Sequence, residues 1–113
     1  MPAKLSTHVL DTTCGRPAGG MKIELWALHG ARWRLFRSTL TNADGRTASP
    51  LLQGEEVRSG QYELVFFVGE YFKSAAPERF LDQVPVRFRL QAGESYHVPL
   101  LCSPWSYATY RGS

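Results

Sequence analysis

Val84-Pro85-Val86-Arg87-Phe88-Arg89-Leu90 alternates apolar and polar side chains. After the turn Gln91-Ala92-Gly93-Glu94, a second run follows, Ser95-Tyr96-His97-Val98-Pro99-Leu100-Leu101-Cys102. A period of two sends successive side chains to opposite faces, so each run predicts a strand with one buried face. The same period extends upstream. Tyr62, Leu64, Phe66 and Val68 alternate with Gln61, Glu63, Val65 and Phe67, and there the second face also turns apolar. Ile23, Leu25 and Ala27 alternate with Lys22, Glu24 and Trp26, and Leu5–Leu10 reads as a short first strand. Turn residues separate the runs at Gly15-Arg16-Pro17, Gly19-Gly20, Leu28-His29-Gly30-Ala31 and Arg58-Ser59-Gly60. Asn42-Ala43-Asp44-Gly45 is a tight turn whose glycine suits a positive φ. Strands recurring about every 10 residues predict a sandwich or barrel. Gly69–Ala76 breaks the pattern and predicts two helical turns ended by Pro77. The expected fold is mainly β, about eight strands with one short helix.

With 113 residues, the chain reads as one domain spanning residues 1–113. Hydrophobic residues make up 43%, enough for a core and too much for a disordered chain. Glycine and proline occur without a period, which excludes collagen and suits a turn-rich β-protein. No apolar run approaches the roughly 18 residues of a membrane span, and Met1–Leu10 lacks the pattern of a signal peptide. The expectation is a soluble, cytoplasmic domain that does not engage a membrane. The net charge of +3 is spread along the chain. Arg32, Arg34 and Arg37, like Arg87 and Arg89, read as the wet faces of strands, not as a nucleic-acid groove. Cys14 and Cys102 form no CxxC or disulfide framework; free thiols are expected, with a single disulfide left open.

Two stretches carry more apolar surface than a lone small sandwich needs. One is Val65 with Phe67; the other is Val98–Tyr110, with Leu100, Leu101, Trp105, Tyr107 and Tyr110. Contiguous apolar surface marks interfaces, so an oligomer is expected, and closed symmetric assemblies are the common kind.

Three histidines hold the side chains best suited to proton transfer near neutral pH. His29 falls in a hairpin turn and reads as a solvated surface residue. His8 lies in the first strand with Ser6 and Leu10 on its own face, and Asp11 on the other. His97 lies mid-strand, opposite in face to Tyr96 and Val98. The plain reading of His8 and His97 is a strand histidine satisfied by a backbone hydrogen bond. The sharper one is a pair that meets in space and divides base and acid roles. Zinc is disfavoured because no HxH or HxxxH spacing occurs. Nucleophilic catalysis and phosphate binding lack their motifs too, with no Gly-x-Ser-x-Gly and no GxGxxG. Arg46, after the Asp44-Gly45 turn, is expected to begin a strand. It is either an exposed arginine or a fixed guanidinium for an oxygen-rich planar ligand. Ser103–Tyr110 continues a strand-like pattern almost to the end, and Tyr110-Arg111-Gly112-Ser113 closes the sequence. A docked end would bring a phenol, a guanidinium, a hydroxyl and a carboxylate together.

Tyr110-Arg111-Gly112-Ser113, with Leu5-Ser6-Thr7-His8-Val9-Leu10-Asp11 near the start, resembles the 5-hydroxyisourate hydrolases of the transthyretin-like family. Thr41-Asn42-Ala43-Asp44-Gly45-Arg46 and Tyr96-His97-Val98-Pro99-Leu100-Leu101 resemble that family's two other blocks, and Gly60–Ala76 its strand-plus-helix segment. The resemblance runs in order over essentially the whole chain. It implies a transthyretin-like β-sandwich assembled as a homotetramer, a dimer of dimers with active sites in the channel between dimers. The implied reaction opens the ring of 5-hydroxyisourate to 2-oxo-4-hydroxy-4-carboxy-5-ureidoimidazoline in urate degradation. Carried over by motif, the catalytic residues are His8, Arg46, His97 and Ser113, and substrate binding involves His8, Arg46, Tyr110 and Arg111. No metal or organic cofactor is implied.

Two other readings share the fold. A carrier would bind a hydrophobic ligand in the same channel and has no use for two histidines, an arginine and the terminal tetrapeptide together. A purely structural β-domain would tolerate replacement of His8 and Arg46. Fold alone does not separate these from an enzyme.

Overall fold

The structure, a computed structural model, describes residues 2–113. Nine strands run in the order β1 (Lys4–Asp11), β2 (Arg16–Pro17), β3 (Lys22–His29), β4 (Arg32–Leu40), β5 (Leu52–Gln53), β6 (Gly60–Phe66), β7 (Val84–Leu90), β8 (Tyr96–Cys102) and β9 (Tyr107–Thr109). A 3-10 turn covers Gly54–Glu56, and one helix, α1 (Val68–Phe72), follows β6. One sheet has the order β2-β1-β8-β9, with β5 also pairing β1; the other has the order β4-β3-β6-β7. Pairing is antiparallel except for β1 with β8, which lie parallel in register from Leu5↔Tyr96 to Asp11↔Cys102. A parallel pair needs a long crossover, and here the other sheet supplies it. The first and eighth strands therefore meet although about ninety residues separate them.

Alternation dictates the core. Leu5, Val9, Ile23, Leu25, Leu64, Phe66, Val84 and Leu100 point between the sheets and are buried, joined by Met21, Leu51, Leu52 and Val68 from the connections. Truncating one of these to alanine costs about 2–5 kcal/mol through lost burial and the cavity left behind. Three polar side chains share the interior, Thr7, Asp11 and Thr41. Each is satisfied. Thr7 donates to the Val98 carbonyl at 2.7 Å and Thr41 to the Ala18 carbonyl at 2.6 Å. Asp11 accepts from Thr13 and, at 3.2 Å, from the Tyr71 hydroxyl. Burial and the Asp11 charge push the Tyr71 phenol up to about 12.

Five local readings need correction. Arg16 and Pro17, read as turn residues, form β2 and pair with Asp11 and Leu10. The helix has five residues, not two full turns, although the Ala76 N–H still bonds the Phe72 carbonyl at 2.8 Å. Its first turn is held by Gly69, packed so closely on Leu81 and Asp82 that a Cβ would meet their backbone at 2.8–2.9 Å. The arginines of β4 do not all face water. A bulge opposite Leu25 and Trp26 shifts the register at Phe36 and turns Arg37 inward. Its Nε then donates to the Leu51 carbonyl at 3.0 Å, while Arg32 and Arg34 stay exposed. The terminal run is a hairpin: β8 ends at Cys102, Ser103–Ser106 turn, and β9 returns antiparallel along β8. Arg46 begins no strand and sits in an irregular loop. Cys14 is exposed and Cys102 buried, and both are free thiols.

Candidate functional site

The outward face of β1 carries Lys4, Ser6 and His8, because Leu5, Thr7 and Val9 take the inward one. Parallel pairing sets Ser6 beside His97 and His8 beside Pro99. The Ser6 hydroxyl lies 2.9 Å from His97 Nδ1. The third wall comes from the end of the chain. The β8–β9 ladder stops at Leu100↔Thr109 and re-forms as a single bridge, His97↔Gly112, with the Gly112 N–H on the His97 carbonyl at 2.7 Å. The gap coincides with Pro99, which has no N–H to offer a ladder. Tyr110 and Arg111 leave the strand pattern there, and Tyr110 is 61% exposed. The Arg111 guanidinium lies over the Tyr96 ring, 4.4 Å from its centroid, and approaches Glu94 at 3.8 Å.

Arg46 arrives on a pinned loop. The Asn42 side-chain oxygen accepts from the Asp44 N–H at 2.9 Å and the Arg46 N–H at 3.2 Å. The Val9 N–H donates to the Gly45 carbonyl at 2.9 Å and ties the loop to β1. Gly45 takes φ +73°, and a Cβ there would strike the Val9 carbonyl oxygen. Only glycine satisfies both the dihedral and the close approach.

These walls enclose an open cleft of about 730 Å³. Arg46, His97, Tyr110, Arg111 and Ser113 line it, so the structure brings together five of the residues singled out from sequence. His8 is not on the cleft wall; it stands half-buried on the same face, two positions along β1 from Ser6. His29 is exposed at the end of β3, away from the cleft. Lys4, Ser6, Ser95 and Tyr96 also line the cleft and escaped the sequence reading. Lys4 and Ser6 share the parity of His8, a signal that was available. Their relation to His97 needed the parallel register.

Charge in the cleft is one-sided. Lys4 and Arg46 have no acidic partner among the described residues, and Arg111 has only the distant Glu94. Burial, then Arg46, His8 and Lys4, hold the His97 imidazole below its ordinary value. That favours the neutral imidazole, which can accept a proton. Among the described residues no three His, Cys, Asp or Glu side chains converge as metal ligands. No helix among them is long and apolar enough to cross a membrane. A neutral imidazole beside unpaired cations suits general-base attack on a substrate that is anionic or becomes so.

Comparison with known proteins agrees in family and in fold. The sequence pattern of the HIUase/Transthyretin family matches residues 5–112. The chain is 51% identical over 115 residues to 5-hydroxyisourate hydrolase 2 of Rhizobium meliloti, covering 97% of this chain and 96% of that one. Among solved structures it is similar to an (S)-allantoin synthase, with TM-score 0.91 and 46% identity. That match covers 99% of this chain but 44% of the other, so the chain spans less than half of that protein. Sea bream transthyretin, solved with thyroxine, superposes with TM-score 0.90 over 97% of this chain and 95% of its own at 24% identity, a likeness of fold alone.

Proposed function

The chain belongs to the HIUase/Transthyretin family, and from that premise we infer that it is a hydrolase that opens the ring of 5-hydroxyisourate in urate degradation. The observation that carries the reading is the cleft itself. A neutral imidazole, unpaired cations and the Tyr110–Ser113 tail meet in one place, a set that hydrolysis uses and carriage of a hydrophobic ligand does not.

Ring opening adds water to the carbonyl of an amide-like bond. As the water oxygen bonds to the carbonyl carbon, its proton passes to one histidine of the His8–His97 pair. The carbon–nitrogen bond then breaks, and a proton from the pair ends on the departing nitrogen. Arg46 and Arg111 bind the substrate's oxygens and stabilise the charge that develops on them. Tyr110 and Ser113 hydrogen-bond the ring. The working form is a homotetramer, a dimer of dimers, acting in the cytoplasm as a single domain of residues 1–113.

The test generates 5-hydroxyisourate in the cuvette with urate oxidase and follows its ultraviolet decay. Wild-type protein is expected to speed the decay, and His8→Asn to lose about a hundredfold or more of that rate, the scale of general acid–base catalysis. Decay at the spontaneous rate, from a folded wild-type protein, would transfer the assignment to a carrier.

A further inference from the structure

The Ser6 hydroxyl is the partner of His97 Nδ1, at 2.9 Å, and the two residues face each other across the parallel β1–β8 ladder. Both are half-buried, so water competes weakly for that bond. A neutral imidazole carries its proton on one nitrogen, and the bond made by one nitrogen decides the state of the other. Nε2 has no hydrogen-bond partner among the described residues.

We propose that Ser6 is a positioning residue for the hydrolysis: its hydroxyl accepts the Nδ1 proton of His97 and leaves Nε2 as the lone pair offered to the cleft. The direction of the bond follows from the surroundings. Lys4 lines the cleft from β1, Arg46 from its loop and Arg111 from the tail, where Glu94 lies 3.8 Å away, and His8 stands on the same face of β1. Ser113 also lines the cleft. Apart from Glu94, these ionisable side chains are cations or a histidine. A lone pair directed among them is stabilised and an N–H repelled, so the proton resides on Nδ1. The backbone of Gly112 closes the opposite edge, where a Cβ would come within 2.7 Å of His97 Cδ2. The ring is thus held in both rotation and tautomer, ready to accept a proton from water.

The catalytic half of this proposal rests on the hydrolase reading; the tautomer does not. The experiment therefore reads both. Long-range proton–nitrogen spectra of protein labelled with ¹⁵N-histidine, assigned with His97→Gln and taken above neutral pH, show which nitrogen of His97 is protonated. Wild type is expected to show Nδ1–H with an unprotonated Nε2. Ser6→Ala is expected to spread the proton over both nitrogens and lower kcat about tenfold or more with little change in KM, the scale of losing a group that orients a catalytic one. Its acid limb in the pH–kcat profile should move to lower pH, because the imidazolium loses an acceptor. Ser6→Thr keeps the hydroxyl and should restore both readouts. An Nε2–H tautomer in wild type overturns the proposal, as does a Ser6→Ala protein with wild-type tautomer and kcat. Loss in Ser6→Ala that Ser6→Thr fails to repair overturns it too. Wild-type protein with the expected tautomer but no hydrolysis overturns the hydrolase reading and supports the hold of Ser6 on the ring.

Discussion

At the scale of single residues, His97 takes its properties from neighbours that lie far away in sequence. Partial burial and the charges of Arg46, His8 and Lys4 disfavour imidazolium. The sign follows directly: a base works deprotonated, so activity should hold as pH falls through 6.5, the ordinary imidazole value, and fail only below it. A pH–kcat/KM profile checks this, and an acid-limb midpoint at or above the ordinary value would contradict it. The same depression makes the unfolded chain bind the proton more readily. His97's contribution to stability is thus full above the ordinary value and is lost as pH falls toward the folded one. Gly112 offers a second test. Gly112→Ala places a methyl 2.7 Å from the imidazole Cδ2, so kcat should drop about tenfold or more with the melting temperature nearly unchanged. Wild-type kcat in that variant would show that the tail tolerates a wider separation. Residue type marked Arg46, His97 and the tail as candidates, the resemblance singled them out, and the structure sets them on one cleft. Ser6 and Lys4 were not marked, because a serine and a lysine on a wet strand face look ordinary until β8 is set beside β1.

Elements are where local pattern succeeded most and where its failures have clear physical causes. Period-two alternation located β1, β3, β6, β7 and β8, whose inward faces are buried, but not the two-residue β2 and β5, which are too short to show a period. It could not foresee the bulge that turns Arg37 toward the Leu51 carbonyl, because a one-residue register slip is decided by the partner strand. Nor could it separate β8 from β9, since Ser103-Pro104-Trp105-Ser106 is apolar enough to resemble more strand. The loop that presents Arg46 was legible as a turn but not as a clamp. Its tie to β1 through the Gly45 carbonyl and Val9 N–H is tertiary. Gly45→Ala should therefore do two things at once. A positive φ and a Cβ driven into the Val9 carbonyl cost on the order of 2 kcal/mol, seen as a lower urea midpoint. The displaced Arg46 should also lower kcat as well as raise KM, because the contact that binds the substrate's oxygens and stabilises their developing charge is lost. An alanine variant with wild-type midpoint and KM would mean that the loop relaxes freely and that Arg46 does not depend on it.

The whole molecule leaves apolar side chains exposed and a cleft open to solvent, and packing against a second copy would answer both. Leu40 and Tyr110 are each 61% exposed, Trp105 55% and Tyr107 46%. Trp105, Tyr107 and Tyr110 belong to the terminal hairpin and tail, and Leu35, Phe36 and Phe80 are exposed elsewhere. Such surface in a small sandwich is costly in water and characteristic of subunit contacts. The cleft, meanwhile, is open, and His8 stands outside its wall on the same face of β1. Packing a second copy against the outer face of β8 and β9 would cover the aromatics and narrow the cleft, and a two-fold axis would do so for both chains at once. Sedimentation equilibrium should accordingly return four chain masses, stable on dilution to the concentrations used for activity. A short extension after Ser113 should reduce hydrolysis more than the same extension before Met1, because Ser113 lines the cleft. A monomer with full activity, or equal activity from the two extended proteins, would show that one chain completes the site alone and that the exposed aromatics serve some other contact.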